Sequence, residues 1–238
     1  MLRSTKKVIH KVIAEVALLA AETLAGLALF LVSSILFFVI AGYVFLAHRS
    51  SFDNRVFSYL SGFVSDSNSR LMLFFSILGN AAFLVTANLL LILYFLFIRK
   101  RRWYSVRIVS VALSSVLMML ILKEWFARPR PPMPLLDPAI GLSFPSGHAM
   151  SSVTFYGLII FFTWRNRRIK PGYRVAIAAL LVAVVFMIGL SRVYLKVHYA
   201  SDVLGGYCAG AIWLCLSLYV IRKIEEYSRK KLQPVVEN

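Results

Sequence analysis

The chain has 238 residues, of which 60% are hydrophobic and only 16% are charged. Soluble domains carry about 25% charged residues, and the apolar residues here form long uninterrupted blocks, so the composition predicts one all-α integral membrane domain. The formal net charge of +17 does not indicate nucleic-acid binding, because the basic residues lie in short clusters between apolar blocks and not on one soluble face.

Six apolar segments are long enough to cross a bilayer, which takes about 20 residues of helix. The predicted spans are residues 25–47, 71–98, 106–122, 146–164, 175–194 and 202–221. None has a charged residue in its middle third. Ahead of them, residues 6–24 are predicted to form an amphipathic interfacial helix and not a cleaved signal, because Glu15 and Glu22 interrupt the apolar stretch.

The charges of the connections predict the orientation. Nineteen of the 27 basic residues lie at the N-terminus, in the second and fourth connections and in the C-terminal tail. The positive-inside rule places these parts, and so both termini, in the cytoplasm. The eight basic residues on the other side include Lys123, Arg128, Arg130, Arg192 and Lys196, in the third and fifth connections. Basic residues that oppose the orientation rule indicate a further role at that face.

Three polar segments are predicted at the extracytoplasmic face. They are KEWFARPRP at 123–131, PSGH at 145–148 and SRVYLKVHYASD at 191–202. Taken singly, Lys123 and Arg130 are well explained as interfacial anchors, and Ser146 as the N-cap of an ordinary helix. His198 and Asp202, four residues apart, are equally well explained as a structural pair or a catalytic one.

Together these segments indicate a site for a tetrahedral oxyanion. Lys123, Arg130 and Arg192 bring three cations to one face, and the helix start at Ser146 and Gly147 brings backbone N–H groups. Such donors stabilise the charge on the equatorial oxygens of a phosphoryl group.

Two histidines divide the chemistry. His198, oriented by Asp202, is predicted to be the nucleophile that forms a phosphohistidine, and His148 is predicted to protonate the departing alkoxide. A metal mechanism needs several carboxylates, and this face offers only Glu124, Asp137 and Asp202. We therefore expect no metal and no other cofactor.

At these residues the chain resembles the type-2 phosphatidic acid phosphatase superfamily. Its signature is Lys-x6-Arg-Pro, then Pro-Ser-Gly-His, then Ser-Arg-x5-His-x3-Asp, and the three segments match it at every position and spacing. The resemblance implies the same catalytic roles for His198, Asp202 and His148. It also implies a metal-free site with the phosphate held by Lys123, Arg130, Ser146, Gly147 and Arg192. Arg128 lies outside the signature and is expected to contact headgroups or anchor the chain at the interface.

The expected activity is hydrolysis of a phosphomonoester or pyrophosphate on a membrane lipid, in a bacterial inner or plasma membrane. Phosphatidic acid, phosphatidylglycerophosphate and undecaprenyl pyrophosphate all remain open as substrates. A lipid phosphotransferase would use the same phosphoenzyme. An anion or lipid transporter is less well supported, because the polar residues Asn80 and Asn88 are explained by hydrogen bonds between helices. Gly206 and Gly210 predict close helix packing, either within the bundle or between subunits.

Overall fold

The computed structural model describes residues 23–48, 50–132, 134–135 and 140–236, with side chains described up to Ser228. These residues form helices and short connections, and no strand occurs among them. The helices are α1 (Thr23–Leu46), α2 (Ser51–Ser61), α3 (Asp66–Leu78), α4 (Ala81–Ile98), α5 (Arg102–Phe126), α6 (Gly147–Arg165), α7 (Pro171–Tyr194) and α8 (Ala200–Val236). The predicted amphipathic helix over 6–24 lies outside the described residues, except for its last two, which begin α1.

Five helices are long and apolar enough to cross a membrane, namely α1, α4, α5, α7 and the part of α8 from Ala200 to Ser228. An all-helical membrane fold is therefore confirmed, whereas six crossings stay a prediction. The described helices outside this set are α2, α3 and α6. Of these, α6 corresponds to the predicted fourth span, and it packs against α4, α5, α7 and α8. A helix enclosed by other helices needs few lipid-facing side chains, so it can carry buried polar residues such as Ser152 and Thr154.

The predicted second span, 71–98, is two helices that meet at Gly79 and Asn80. Asn80 begins α4, where its side-chain oxygen accepts a hydrogen bond from Ala82 N at 3.0 Å. Asn88 donates to Leu84 O of its own helix at 2.7 Å. The expectation that these asparagines join different helices is therefore wrong. With 13 residues and about 20 Å of length, α3 is too short to span.

Small residues let α8 lie directly against α6. A Cβ atom on Gly206 would lie 2.7 Å from Ser146 O, and one on Gly210 would lie 2.8 Å from Met150 O. Real Cβ atoms do not approach a backbone oxygen so closely, so both positions require glycine. The close packing predicted for these glycines is thus within the bundle.

Aromatic rings hold the connection between α5 and α6 over the end of the bundle. Phe144 is fully buried, and its ring centroid lies 4.8 Å from Phe126, 5.2 Å from Phe45 and 5.8 Å from Phe37. These contacts join α1, the end of α5 and the residues just before α6. They place the first two polar segments of the sequence side by side.

Candidate active site

The eight predicted site residues lie at one end of the bundle, on α5, α6, α7, α8 and the connections between them. Six of them line one cavity of about 320 Å³, namely Lys123, Arg130, Gly147, His148, Arg192 and His198. The other two, Ser146 and Asp202, lie behind it and are joined by a backbone hydrogen bond of 3.0 Å from Ser146 N to Asp202 O. The structure thus brings together three segments that are far apart in sequence.

His198 is 2% exposed, and its two ring nitrogens lie near different partners. Its Nδ1 lies 3.5 Å from Asp202 Oδ2 and 3.4 Å from Ser143 Oγ, and its Nε2 lies 3.4 Å from Arg130 Nη1. Burial lowers the pKa of His198 to about 4, although the hydrogen bond and charge of Asp202 act in the opposite direction. The ring is therefore neutral near pH 7.

His148 lines the cavity from the first turn of α6. The break between α3 and α4 packs against its ring, since a Cβ atom on Gly79 would lie 3.2 Å from His148 Cδ2 and 2.4 Å from Ile188 Cγ2. Gly79 leaves room for both neighbours. The interrupted helix thus supports the side chain predicted to act as the acid.

Three cations face the cavity, and none of them forms an ion pair within the described part of the chain. Lys123 Nζ donates to Leu142 O, and Arg192 Nη1 donates to Ser76 Oγ on α3. Arg130 donates to Gly141 O at 3.0 Å and Val197 O at 2.9 Å, and burial lowers its pKa. The site therefore carries positive charge that no carboxylate neutralises directly.

The start of α6 adds further donors. Ser146 has the extended backbone of an N-cap, as predicted, but its side chain caps no backbone N–H group. Its Oγ is fully buried and, like Nε of Arg192, has no hydrogen-bond partner among the described residues. Gly147 follows, where a Cβ atom would lie 2.7 Å from Met119 Sδ. Unused donors beside a helix N-terminus suit an anion.

Below this polar end, the cavity continues between α4, α5 and α6 for about 15 Å, the length of helix from His148 to Leu158. Its walls there are mostly apolar and are formed by Leu84, Val85, Ile108, Val111, Val116, Phe155 and Leu158. Val85 on α4 and Val116 on α5 line the cavity and are also exposed, from which we infer that the cavity opens sideways between α4 and α5. The sequence alone did not identify this groove, because its residues are ordinary span residues.

Arg128 is engaged inside the protein, which corrects the headgroup contact or interfacial anchoring expected from its sequence. Its side chain is 12% exposed and forms ion pairs with two fully buried carboxylates, Asp202 at 2.6 Å and Asp53 at 2.9 Å. Asp53 lies on α2 and was not predicted as a site residue. Its neighbours in sequence are Phe52, Asn54 and nearby arginine and serine residues, which resemble any interfacial stretch.

A family model described as the PAP2 superfamily matches residues 103–226, more than half of the chain. The chain belongs to the PAP2 superfamily. All three polar segments lie inside the matched region, so the resemblance seen in the sequence is confirmed.

Two relatives of the chain are named as phosphatases of lipid phosphates. The chain is 30% identical over 135 residues to phosphatidylglycerophosphatase B of Bacillus subtilis, covering 57% of this chain and 66% of that protein. It is 27% identical over 124 residues to lipid phosphate phosphatase delta of Arabidopsis thaliana, covering 46% of this chain and 29% of that protein. The matched stretches thus span less than two thirds of either relative.

A solved PAP2 structure extends the likeness beyond the region that the family model matches. The transmembrane PAP2-type phosphatidylglycerolphosphate phosphatase from Bacillus subtilis superposes on this chain with a TM-score of 0.72 at 25% identity. The superposition covers 85% of this chain and 96% of that one. The likeness therefore includes helices outside the matched family region.

Proposed function

We propose that this PAP2 protein hydrolyses the phosphomonoester or pyrophosphate of a membrane lipid through a phosphohistidine, without a metal. The observation that carries the proposal is one cavity that joins a cationic end, with two histidines, to an apolar groove open toward the lipid. A cationic end alone could bind any anion, and an apolar groove alone could bind any lipid. A cavity that contains both is expected to bind a lipid that carries a phosphate.

In the proposed first step, Nε2 of His198 attacks the phosphorus, and the bond from phosphorus to the leaving oxygen breaks. That oxygen, which belongs to the lipid or to its remaining phosphate, takes a proton from His148, which carries this proton once the negative charge of the bound phosphate lies beside it. Lys123, Arg130 and Arg192, with the N–H groups at the start of α6, hold the equatorial oxygens. Asp202 stabilises the positive charge that develops on the ring of His198.

In the second step, water gives a proton to His148 and attacks the phosphohistidine. The bond from phosphorus to Nε2 breaks, which releases inorganic phosphate and restores neutral His198. Both histidines return to their starting states, so the cycle consumes one water and no other co-reactant. Within the described residues, no group of three His, Cys, Asp or Glu side chains is placed to hold a metal ion.

The groove supports a substrate whose tail stays among the helices while its phosphate reaches His198. Phosphatidic acid, phosphatidylglycerophosphate and undecaprenyl pyrophosphate all have a phosphate joined to a long apolar tail. The name of the Bacillus subtilis relative makes phosphatidylglycerophosphate the first lipid to test.

The proposed site lies at the extracytoplasmic face. The basic clusters at 99–102 and 165–170 are at the opposite ends of α5 and α6 from Lys123 and His148, and the positive-inside rule assigns those clusters to the cytoplasm. In a background without Cys208 and Cys215, we expect Trp125→Cys to react with an impermeant thiol reagent in intact cells. Trp164→Cys should react only after permeabilisation, and the reverse result would contradict the orientation.

The decisive experiment measures phosphate release by the purified protein in detergent, with a chelator, over a panel of lipid phosphates. The wild-type protein is compared with His198→Ala and with His48→Ala, which changes an exposed histidine outside the cavity. We expect release by wild type and His48→Ala but not by His198→Ala. Loss of release on addition of chelator, or full release by His198→Ala, would overturn the proposed mechanism. If phosphate passes only to an added lipid alcohol, the protein is a phosphotransferase.

A further inference from the structure

Behind His198 lies a row of charged groups that does not face the cavity. Asp202 Oδ1 accepts from Arg128 Nη1 at 2.6 Å, and Asp53 Oδ2 accepts from Arg128 Nη2 at 2.9 Å. Ser201 joins the two ends, because its Oγ accepts from Arg128 at 2.8 Å and donates to Asp53 at 2.7 Å. Neither Arg128 nor Asp53 lines the cavity, so neither can touch a substrate held there.

The surroundings hold Arg128 in one position. Its guanidinium group lies over the ring of Tyr199 at 4.0 Å, and both of its terminal nitrogens are used in ion pairs. Asp53 also accepts a hydrogen bond of 2.9 Å from the backbone N–H group of Ser201. The start of α8, which carries Asp202, is thereby tied to the short helix α2.

The charges of this row suit the proposed chemistry. Arg128 alone would neutralise Asp202 and leave no net negative charge for a positively charged His198. Asp53 supplies a second negative charge, so the three groups together carry one net negative charge. That charge balances the positive ring of the phosphohistidine, so it stabilises the intermediate more than the resting site, where the ring is neutral.

We propose that Arg128 and Asp53 are positioning residues, which hold Asp202 in place and together set the charge that it presents to His198. This inference rests on the proposed function, since it concerns the same nucleophile. It assigns to α2, a helix outside the sequence signature, a part in the reaction.

The test is a double-substitution cycle with Arg128→Gln, Asp53→Asn and the double variant. Each single change alters the net charge by one unit, whereas the double change restores it. We expect kcat to fall about 10- to 100-fold in each single variant, by analogy with the loss of a group that orients a metal-bound histidine from behind. The KM should stay within about twofold, because neither side chain contacts the substrate. The double variant should recover most of the lost kcat.

The pH profile provides a readout that a purely structural role would not move. Other charged or titratable groups face His198, and these stay unchanged in all variants: Lys123 on α5, Arg130 before α6, His148 on α6, Arg192 on α7 and Asp202 on α8. Arg128→Gln removes a positive charge and should raise the pKa of His198, so the acid limb of kcat should move to higher pH by about one unit. In the double variant, the limb should return toward its wild-type position.

Arg107→Gln is the matched control. It breaks another buried ion pair, Arg107 with Glu225 at 2.5 Å, at the opposite end of the bundle. It should lower the unfolding temperature in detergent without moving the acid limb. If Arg128→Gln does not fold, the comparison of Asp53→Asn with the double variant decides the question.

A double variant no more active than the single variants, with an unmoved acid limb, would overturn the positioning role while wild-type phosphate release continues. Absence of release by the wild-type protein would instead overturn the proposed function itself.

Discussion

His198 shows how burial of a single residue links the site to stability. In the unfolded chain this ring takes up a proton as the pH falls through about 6.5, but in the folded protein burial holds its pKa at about 4. Between these values the unfolded state binds more protons. The contribution of His198 to the free energy of unfolding is therefore fully present above about pH 6.5 and is lost as the pH falls toward 4.

The expected size of this effect is about 3 kcal/mol between pH 7 and pH 4, from a pKa difference of about 2.5 units. His198→Gln cannot take up the proton and should lack this part of the pH dependence. Thermal unfolding of both proteins in detergent across that pH range measures the difference. Parallel curves for the two proteins would show that the ring is not held neutral by burial.

The residues of the site differ in how far the sequence reveals them. Lys123, His148 and His198 stand in three short segments that together indicate phosphoryl chemistry. The contact between Arg128 and Asp53 joins positions 75 residues apart and belongs to no local pattern. Such a pair is visible only once the chain is folded, because nothing in the sequence near Asp53 separates it from an interfacial carboxylate.

Among the helices, the contact of α6 with α8 is the one that holds the site together. It sets Ser146 beside Asp202, through the backbone hydrogen bond of 3.0 Å between them. The absence of a side chain at Gly206 permits this approach, since a Cβ atom there would lie 2.7 Å from Ser146 O and 2.9 Å from Ala149 Cβ.

Gly206→Ala should therefore push α8 away from the start of α6. We expect a loss of about 1–3 kcal/mol in stability, as for other overpacked sites, together with a lower kcat. Gly172→Ala on α7 is the control, because a Cβ atom there would meet nothing within 4 Å. Thermal unfolding and phosphate release measure the two effects, and equal behaviour of both variants would contradict the packing argument.

Hydropathy predicts the existence of most helices but not the break at Gly79. The apolar run continues through this point, so the sequence favours one long span over 71–98. The chain ends α3 there because the backbone passes close to Ile188 and His148, and Asn80 provides the next N-cap. The predicted span 146–164 does coincide with a helix, α6, whose polar residues are tolerated because other helices enclose it.

For the whole molecule, the cavity between α4, α5 and α6 predicts that the tail of the lipid contributes to binding. Ala112→Phe adds a ring to this wall and should raise KM for long-tailed lipid phosphates by about tenfold. Hydrolysis of a short water-soluble phosphate ester should be unchanged, because the phosphate end is untouched. Leu113→Phe is the control, since Leu113 is exposed on the lipid-facing side of the same helix. Equal KM values for the two variants would show that the tail binds elsewhere.

The sideways opening of this cavity, where Val85 and Val116 are exposed, also determines which measure of substrate concentration controls the reaction rate. A substrate that enters between α4 and α5 arrives by diffusion within the plane of the bilayer. The rate should then follow the mole fraction of substrate among the surrounding lipids or detergent molecules and not its amount per volume of solution. Adding inert detergent at constant total substrate should slow the reaction by surface dilution, as it would for any protein that meets its substrate in two dimensions.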